Sequence, residues 1–135
     1  MTSTVFKMHH KIDPKRLAEG ITELDDIVIM HNEVLVGVYI RPGSYETAGG
    51  QEIHLPDNFR EEDRFQGKVG LVLKKGPQAF VSDENHDFAG QNVELGDWVV
   101  FHSADGWSVT ISGVLCRMVE DSRIRMKIPS PDVVY

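Results

Sequence analysis

A mostly β fold is predicted for this chain by three observations. From Ile27 onward the apolar residues recur with a period of two, turn dipeptides follow one another at short intervals, and helical signals are confined to the N-terminal arm. That arm covers residues 1–26. Within it, Asp13-Pro14 and Lys15-Arg16-Leu17-Ala18-Glu19 read as an N-cap, a proline at N1 and about two turns of helix, stopped by Gly20. So short a helix persists only when packed on something else. In the first strand Val34, Val36, Val38 and Ile40 share one face, and Leu35, Gly37, Tyr39 and Arg41 the other. Gly67–Leu73 and Trp98–Phe101 are further apolar runs. Asp105-Gly106 and Ser112-Gly113 are hairpin-type dipeptides that separate strands near 97–103, 107–112 and 114–119. A last alternation, Ile124, Met126 and Ile128, stops at Pro129, and residues 129–135 form a tail.

Many short strands with closely spaced turns predict a small barrel or sandwich over residues 27–128. Two long connections interrupt it. Residues 42–66 hold Gly43, Gly49, Gly50 and Pro56, then the charged run Arg60-Glu61-Glu62-Asp63-Arg64; residues 76–96 hold the acidic patch Asp83-Glu84-Asn85-His86-Asp87. Long connections in a small domain tend to carry function.

Composition narrows the function. A length of 135 residues suits one domain, and 41% hydrophobic residues is ordinary for a globular chain. The net charge of −7 lacks the clustered Lys and Arg that phosphate neutralisation needs, so nucleic acid is not expected as a partner. No apolar run is long enough to span a bilayer and the N-terminus lacks a signal-peptide core, so no membrane partner is expected. The single cysteine, Cys116, rules out an internal disulfide and fits a reducing cytoplasm.

A catalytic constellation is not found. His9-His10 point apart on any regular element, and no Cys or His pair has zinc-finger spacing. The patch at 83–87 lacks EF-hand spacing and reads as a solvated loop, so no metal site is expected. Cys116 reads as a small core residue on a strand. No Ser lies in a nucleophile elbow, and Gly49-Gly50 lacks the Lys-Ser/Thr of a phosphate loop. Trp98 and Trp107 read as core residues rather than stacking platforms, since no basic surface surrounds them. The expectation is a non-enzymatic protein without a cofactor.

Four stretches carry a family signal. Met30-His31-Asn32-Glu33-Val34-Leu35-Val36 resembles the first strand of GroES-type co-chaperonins, with its Leu-His-Asp-Arg-Val-x-Val pattern. Glu46-Thr47-Ala48-Gly49-Gly50, then Ile53-His54-Leu55-Pro56, is similar to that family's mobile loop, a Gly-Gly followed by an apolar-x-Leu tripeptide. Gln66-Gly67-Lys68-Val69 resembles the strand after the loop, and Val93-Glu94-Leu95-Gly96-Asp97-Trp98-Val99-Val100-Phe101 the Val-Gly-Asp-x-Val-x-Phe segment. The blocks stand in family order across residues 28 to 126.

The resemblance implies a GroES-like barrel that caps a GroEL-like chaperonin ring as a seven-membered homo-oligomeric dome and so assists protein folding. Nucleotide would be bound by the chaperonin. It implies a partner-binding site at Gly49, Gly50, Ile53, His54, Leu55 and Pro56, with Ile53 and Leu55 entering a groove while His54 faces away. The other reading of Ile53 and Leu55 is that they pin the loop to its own barrel. Medium-chain alcohol dehydrogenases share the barrel, but their zinc cysteines and dinucleotide domain have no counterpart here.

Departures from the pattern open an alternative. Gln51-Glu52 separates the glycines from Ile53, the descending arm is longer and charged, and Ala79-Phe80-Val81 with Phe88 mark a dome hairpin only by composition. The N-terminal arm and the tail have no clear counterpart. A bacteriophage-encoded relative fits such divergence. The alternative is therefore a virion structural protein, a capsid decoration or head–tail connector, whose arm docks on neighbouring capsid or connector proteins.

Overall fold

A computed structural model of the chain describes residues 6–8, 10, 13–47, 49–54, 56–58, 62 and 68–134. The described residues form nine strands: β1 (Phe6–Met8), β2 (Glu33–Val38), β3 (Ser44–Thr47), β4 (Glu52–His54), β5 (Val69–Lys75), β6 (Trp98–Phe101), β7 (Trp107–Ile111), β8 (Val114–Glu120) and β9 (Ile124–Ile128). They assemble into a three-stranded sheet, β1-β3-β4, and a six-stranded one, β7-β8-β2-β5-β6-β9, in which every pairing is antiparallel. The large sheet's hydrogen-bonded order is open, with β7 and β9 at its edges.

Alternation along β2 splits the core in two, as the sequence predicts. Leu35 and Tyr39 belong to one buried cluster with Val69, Leu71, Leu73, Trp98, Cys116 and Ile128; Val34 and Val36 belong to another with Val72, Val99, Phe101 and Val119. Both faces of the central strands are thus apolar, and each must be covered. The N-terminal segment covers the first. Pro14–Gly20 forms a 3-10 helix rather than two α turns, with Asp13 capping the Lys15 N–H through its side chain at 3.0 Å. Its short i→i+3 bonds, Arg16 to Asp13 and Ile21 to Ala18, suit a segment too brief for a stable α-helix. Leu17, Ala18 and Leu24 pack on the first cluster, Ile21 and Ile29 are buried in it, and Lys15, Arg16 and Glu19 face solvent. Ala79 and Val93 of the connection 76–96, with Phe80 beside them, cover the second face.

Consecutive lysines at the end of β5 pin both covers. Side chains alternate between faces, so Lys74 Nζ reaches the Ile27 carbonyl at 2.8 Å over one face. Lys75 Nζ reaches the Val93 carbonyl at 2.8 Å over the other.

Of the two expected hairpins, Ser112-Gly113 is one. Ile111 pairs with Val114, and φ values of 51° and 81° at the two turn residues make the type I′ geometry that suits right-twisted strands. Asp105-Gly106 is not one, because β6 and β7 are far apart in the sheet order. Residues 102–106 cross instead toward the opposite edge. On a flat sheet that crossing would span four strand spacings of about 4.8 Å each, nearly the full reach of about 3.5 Å per residue. Yet the segment also folds back in an Asp105 N–H to His102 carbonyl turn. The sheet must therefore curl to bring its edges closer. Arg117 on β8 holds the crossing by donating from Nη2 to the Asp105 carbonyl at 2.8 Å, with its guanidinium 5.9 Å from the Phe101 ring centre. Gly106 lies so close to β8 that a Cβ there would collide with the Met118 carbonyl.

Trp98 is buried as expected, in edge-to-face contact with Tyr39 at 5.7 Å. Trp107 is not a core residue: it is 59% exposed. It begins the edge strand β7, and only Val109 and Ile111 of that strand pack against the cluster.

Truncation of Leu35, which is fully buried between β5 and β8, should destabilise the protein by about 2–5 kcal/mol in chemical denaturation. Val28→Ala, at a position 75% exposed, should change stability by less than about 0.5 kcal/mol in the same assay.

Candidate functional site

The sequence-predicted site lies on the small sheet. Residues 42–66 do not form an irregular connection throughout: Ser44–Thr47 and Glu52–His54 pair as a hairpin with register Ser44 to His54, Tyr45 to Ile53 and Glu46 to Glu52. Ser-Tyr-Glu-Thr and Glu-Ile-His are short but contain the aromatic and β-branched residues that strands favour, and Gly49-Gly50 supplies the reversal. These residues are the hairpin signals that the sequence carries, set within a connection of unusual length. β1 adds to the free side of β3, with Phe6 opposite Thr47, Lys7 opposite Glu46 and Met8 opposite Tyr45. Nothing in three residues, Phe-Lys-Met, marked that strand in advance.

Gly49 and Gly50 sit exposed at the tip, Ile53 is half-buried on the descending strand, and Pro56 is exposed beyond it. Glu52 and His54 share one face two residues apart, with Oε1 and Nε2 at 3.9 Å and both side chains largely exposed. Pairing by itself places Ile53 on the other face. Leu55 lies outside the described residues, as do Arg60, Glu61, Asp63 and Arg64 of the charged run. Glu62 is exposed. The structure thus gathers Gly49, Gly50, Ile53 and His54 on one hairpin.

The second long connection, 76–96, has no strand pair. Its tip closes through the Asp83 N–H to the His86 carbonyl at 2.7 Å, while the Asp83 carboxylate accepts the N–H groups of Asn85 and His86, each at 2.8 Å. Those two backbone bonds hold the Asp83 carboxyl below its ordinary pKa. His86 stacks on Phe88, which meets Phe80 edge-on at 5.4 Å. The acidic patch is therefore a self-bonded turn, and the dome hairpin suggested by composition is absent among the described residues.

Where this connection leaves the sheet, a buried carboxylate holds it. Asp121 accepts from Asn32 Nδ2 at 3.2 Å, from the Phe80 N–H at 3.0 Å and from the Ser122 N–H at 2.7 Å. Next to it Glu33 pairs with Glu120 across the β2–β8 ladder, and its buried Oε2 has no hydrogen-bond partner. Desolvation first, then the charges of Glu120 and Asp121, raise the Glu33 pKa above its ordinary value.

Cys116 is fully buried, and burial pushes its thiol up to about 11. A thiol so held is not a nucleophile near neutral pH. Among the described residues no three His, Cys, Asp or Glu side chains converge as metal ligands, and no helix is long and apolar enough to cross a membrane. No protein-family model and no curated protein matches this chain.

A carboxyl whose folded pKa is raised binds its proton more tightly in the native state, so it lowers stability as pH rises from the unfolded value of 4.5 toward the folded one. Glu33→Gln should therefore raise the melting temperature at pH 7, with the gain shrinking as the pH falls through the raised folded pKa and gone once the pH is below about 4.5. An unchanged difference from pH 3 to pH 8 would rule out this account. Asp121→Ala should destabilise by about 2–4 kcal/mol, because it strands two backbone N–H groups and the Asn32 amide. Faster amide exchange at Phe80 is the specific signature to measure.

Proposed function

We propose that this chain is a GroES-like co-chaperonin subunit that caps a chaperonin ring and acts by contact, with no chemistry of its own. The observation that carries the reading is the hairpin with an exposed Gly-Gly tip and Ile53 on its descending strand, inserted between two central strands of a curled β-sheet. Two of the motif stretches that carry the resemblance lie at turns into strands, which supports the reading. His31-Asn32 makes the turn into β2, and Gly96-Asp97 the turn into β6, where the Asp97 N–H bonds the Glu94 carbonyl at 3.1 Å. The curl that the short 102–106 crossing demands favours a GroES-like barrel over a flat sandwich.

Energetics explain why such a subunit would work as a ring. Burying an Ile or Leu side chain contributes about 1.5–3 kcal/mol. Ordering a free loop costs about 1–2 kcal/mol per residue of backbone entropy. A hairpin already paired meets part of that cost during folding, and several hairpins engaging one ring add by avidity. Seven copies follow from the resemblance alone. Nucleotide belongs to the chaperonin, and the setting is the cytoplasm. The virion alternative uses the N-terminal arm as a docking element. Leu17, Ile21 and Leu24 instead cover their own sheet, which favours capping.

With chaperonin rings of the source organism's host and ADP, the chain should co-elute on size exclusion. Ile53→Asp and Leu55→Asp should each abolish co-elution while circular dichroism stays native. Normal binding by both variants would overturn the site. A folded wild-type chain that never binds host rings would overturn the capping reading in favour of the virion one.

A further inference from the structure

A two-stranded hairpin is marginal in water, and three strands or packing against a body are needed to hold one. Here the third strand comes from the far N-terminus. β1 pairs with β3 over Phe6 to Met8, and the chain two residues later is fastened to the main body. His10 Nε2 lies 2.6 Å from the Tyr39 hydroxyl in a hydrogen bond, and the two rings meet at 5.7 Å. Tyr39 is itself only 2% exposed, with its N–H bonded to the Val69 carbonyl at 2.9 Å and its ring against Trp98. β1 also lies beside the 3-10 turn Pro131–Val133, whose neighbour Val134 packs on the first core cluster. Contacts therefore run from the rigid centre of the large sheet, through His10, into β1 and across the ladder into β3.

From this geometry we infer that β1 is a brace, anchored through His10 on Tyr39, that keeps the β3–β4 hairpin in its paired conformation and thereby sets how tightly the hairpin's partner is held. Its link to binding rests on the capping reading; its structural half does not. Residues fixed before the encounter lose no further backbone entropy on binding, so the brace strengthens association without touching the partner. His10 is a positioning residue, since it acts on the hairpin only through β1.

The test compares the full chain with a variant lacking residues 1–9 and with His10→Phe, which keeps a ring but loses the bond to Tyr39. Hydrogen exchange on the free proteins reads the brace. Amides of Tyr45, Glu46 and Thr47 should lose protection about tenfold or more in the truncation and less in His10→Phe, while β2, β5 and β8 stay protected. Affinity for host chaperonin rings with ADP reads the consequence, and it should weaken about tenfold or more in the truncation. Unchanged protection at 45–47 in both variants would overturn the brace. Lost protection with equal or tighter ring binding would overturn its role in affinity and make β1 an inhibitory strap instead. Failure of the full chain itself to bind rings would remove the capping reading and the affinity role together, with exchange still deciding the brace. Should the truncated chain not fold, His10→Phe carries both readouts.

Discussion

The rest of this structure depends on the burial of β2 and β5 on both faces. Val34, Leu35 and Val36 are fully inaccessible, as is Val69 on the neighbouring strand. A strand pair apolar on both sides cannot stand at a surface, so the chain must provide two covers from segments with little regular structure of their own. The N-terminal 3-10 helix and its extension to Ile29 provide one, and the connection 76–96 the other. Lys74 and Lys75 make the two requirements visible in adjacent residues, each bonded to the backbone of a different cover.

Covering both faces also dictates how polar groups enter the interior. Among the described residues Asp121 and Arg117 are the buried charged ones, and each serves a segment that has left the ladder. Asp121 accepts backbone N–H groups at the start of the second connection, and Arg117 donates to the carbonyl of the short crossing from β6 to β7. Buried charge is tolerated here because it satisfies backbone groups that no strand partner can reach. Glu33 differs, with its buried Oε2 left unbonded beside two other carboxylates, and Arg117 Nε is likewise buried without a partner.

The hairpin that carries Gly49, Gly50 and Ile53 is in a different mechanical situation. It leaves the core after Tyr39 and returns at Val69, and it pairs within a separate three-stranded sheet whose β1 is tied back to the core through His10 and Tyr39. The hairpin bears Glu52 and His54 on one face and a half-buried Ile53 on the other.

Much of the body was legible in the sequence because alternation is a local property. Val34 and Val36 against Leu35 and Tyr39, the Ser112-Gly113 turn, the Asp13-Pro14 cap and the buried Cys116 all follow from neighbours a few residues away. The candidate site was legible only as residues: its glycines and Ile53 were named, but their hairpin was not, and β1 left no trace because three residues carry no periodicity. Asp105-Gly106 and Trp107 failed for the same reason from the other side. A turn dipeptide looks the same whether it joins neighbouring strands or crosses a curled sheet, and a tryptophan on an edge strand looks the same as one in the core. By itself the sequence determined the strand-rich class, the two-faced central strands and the capped helical turn, since these depend on side-chain period and backbone preference. Only the tertiary structure decided strand order, the curl, the exposure of Trp107 and the pairing of β1 with β3, because each depends on which distant segments meet once both faces of β2 and β5 are buried.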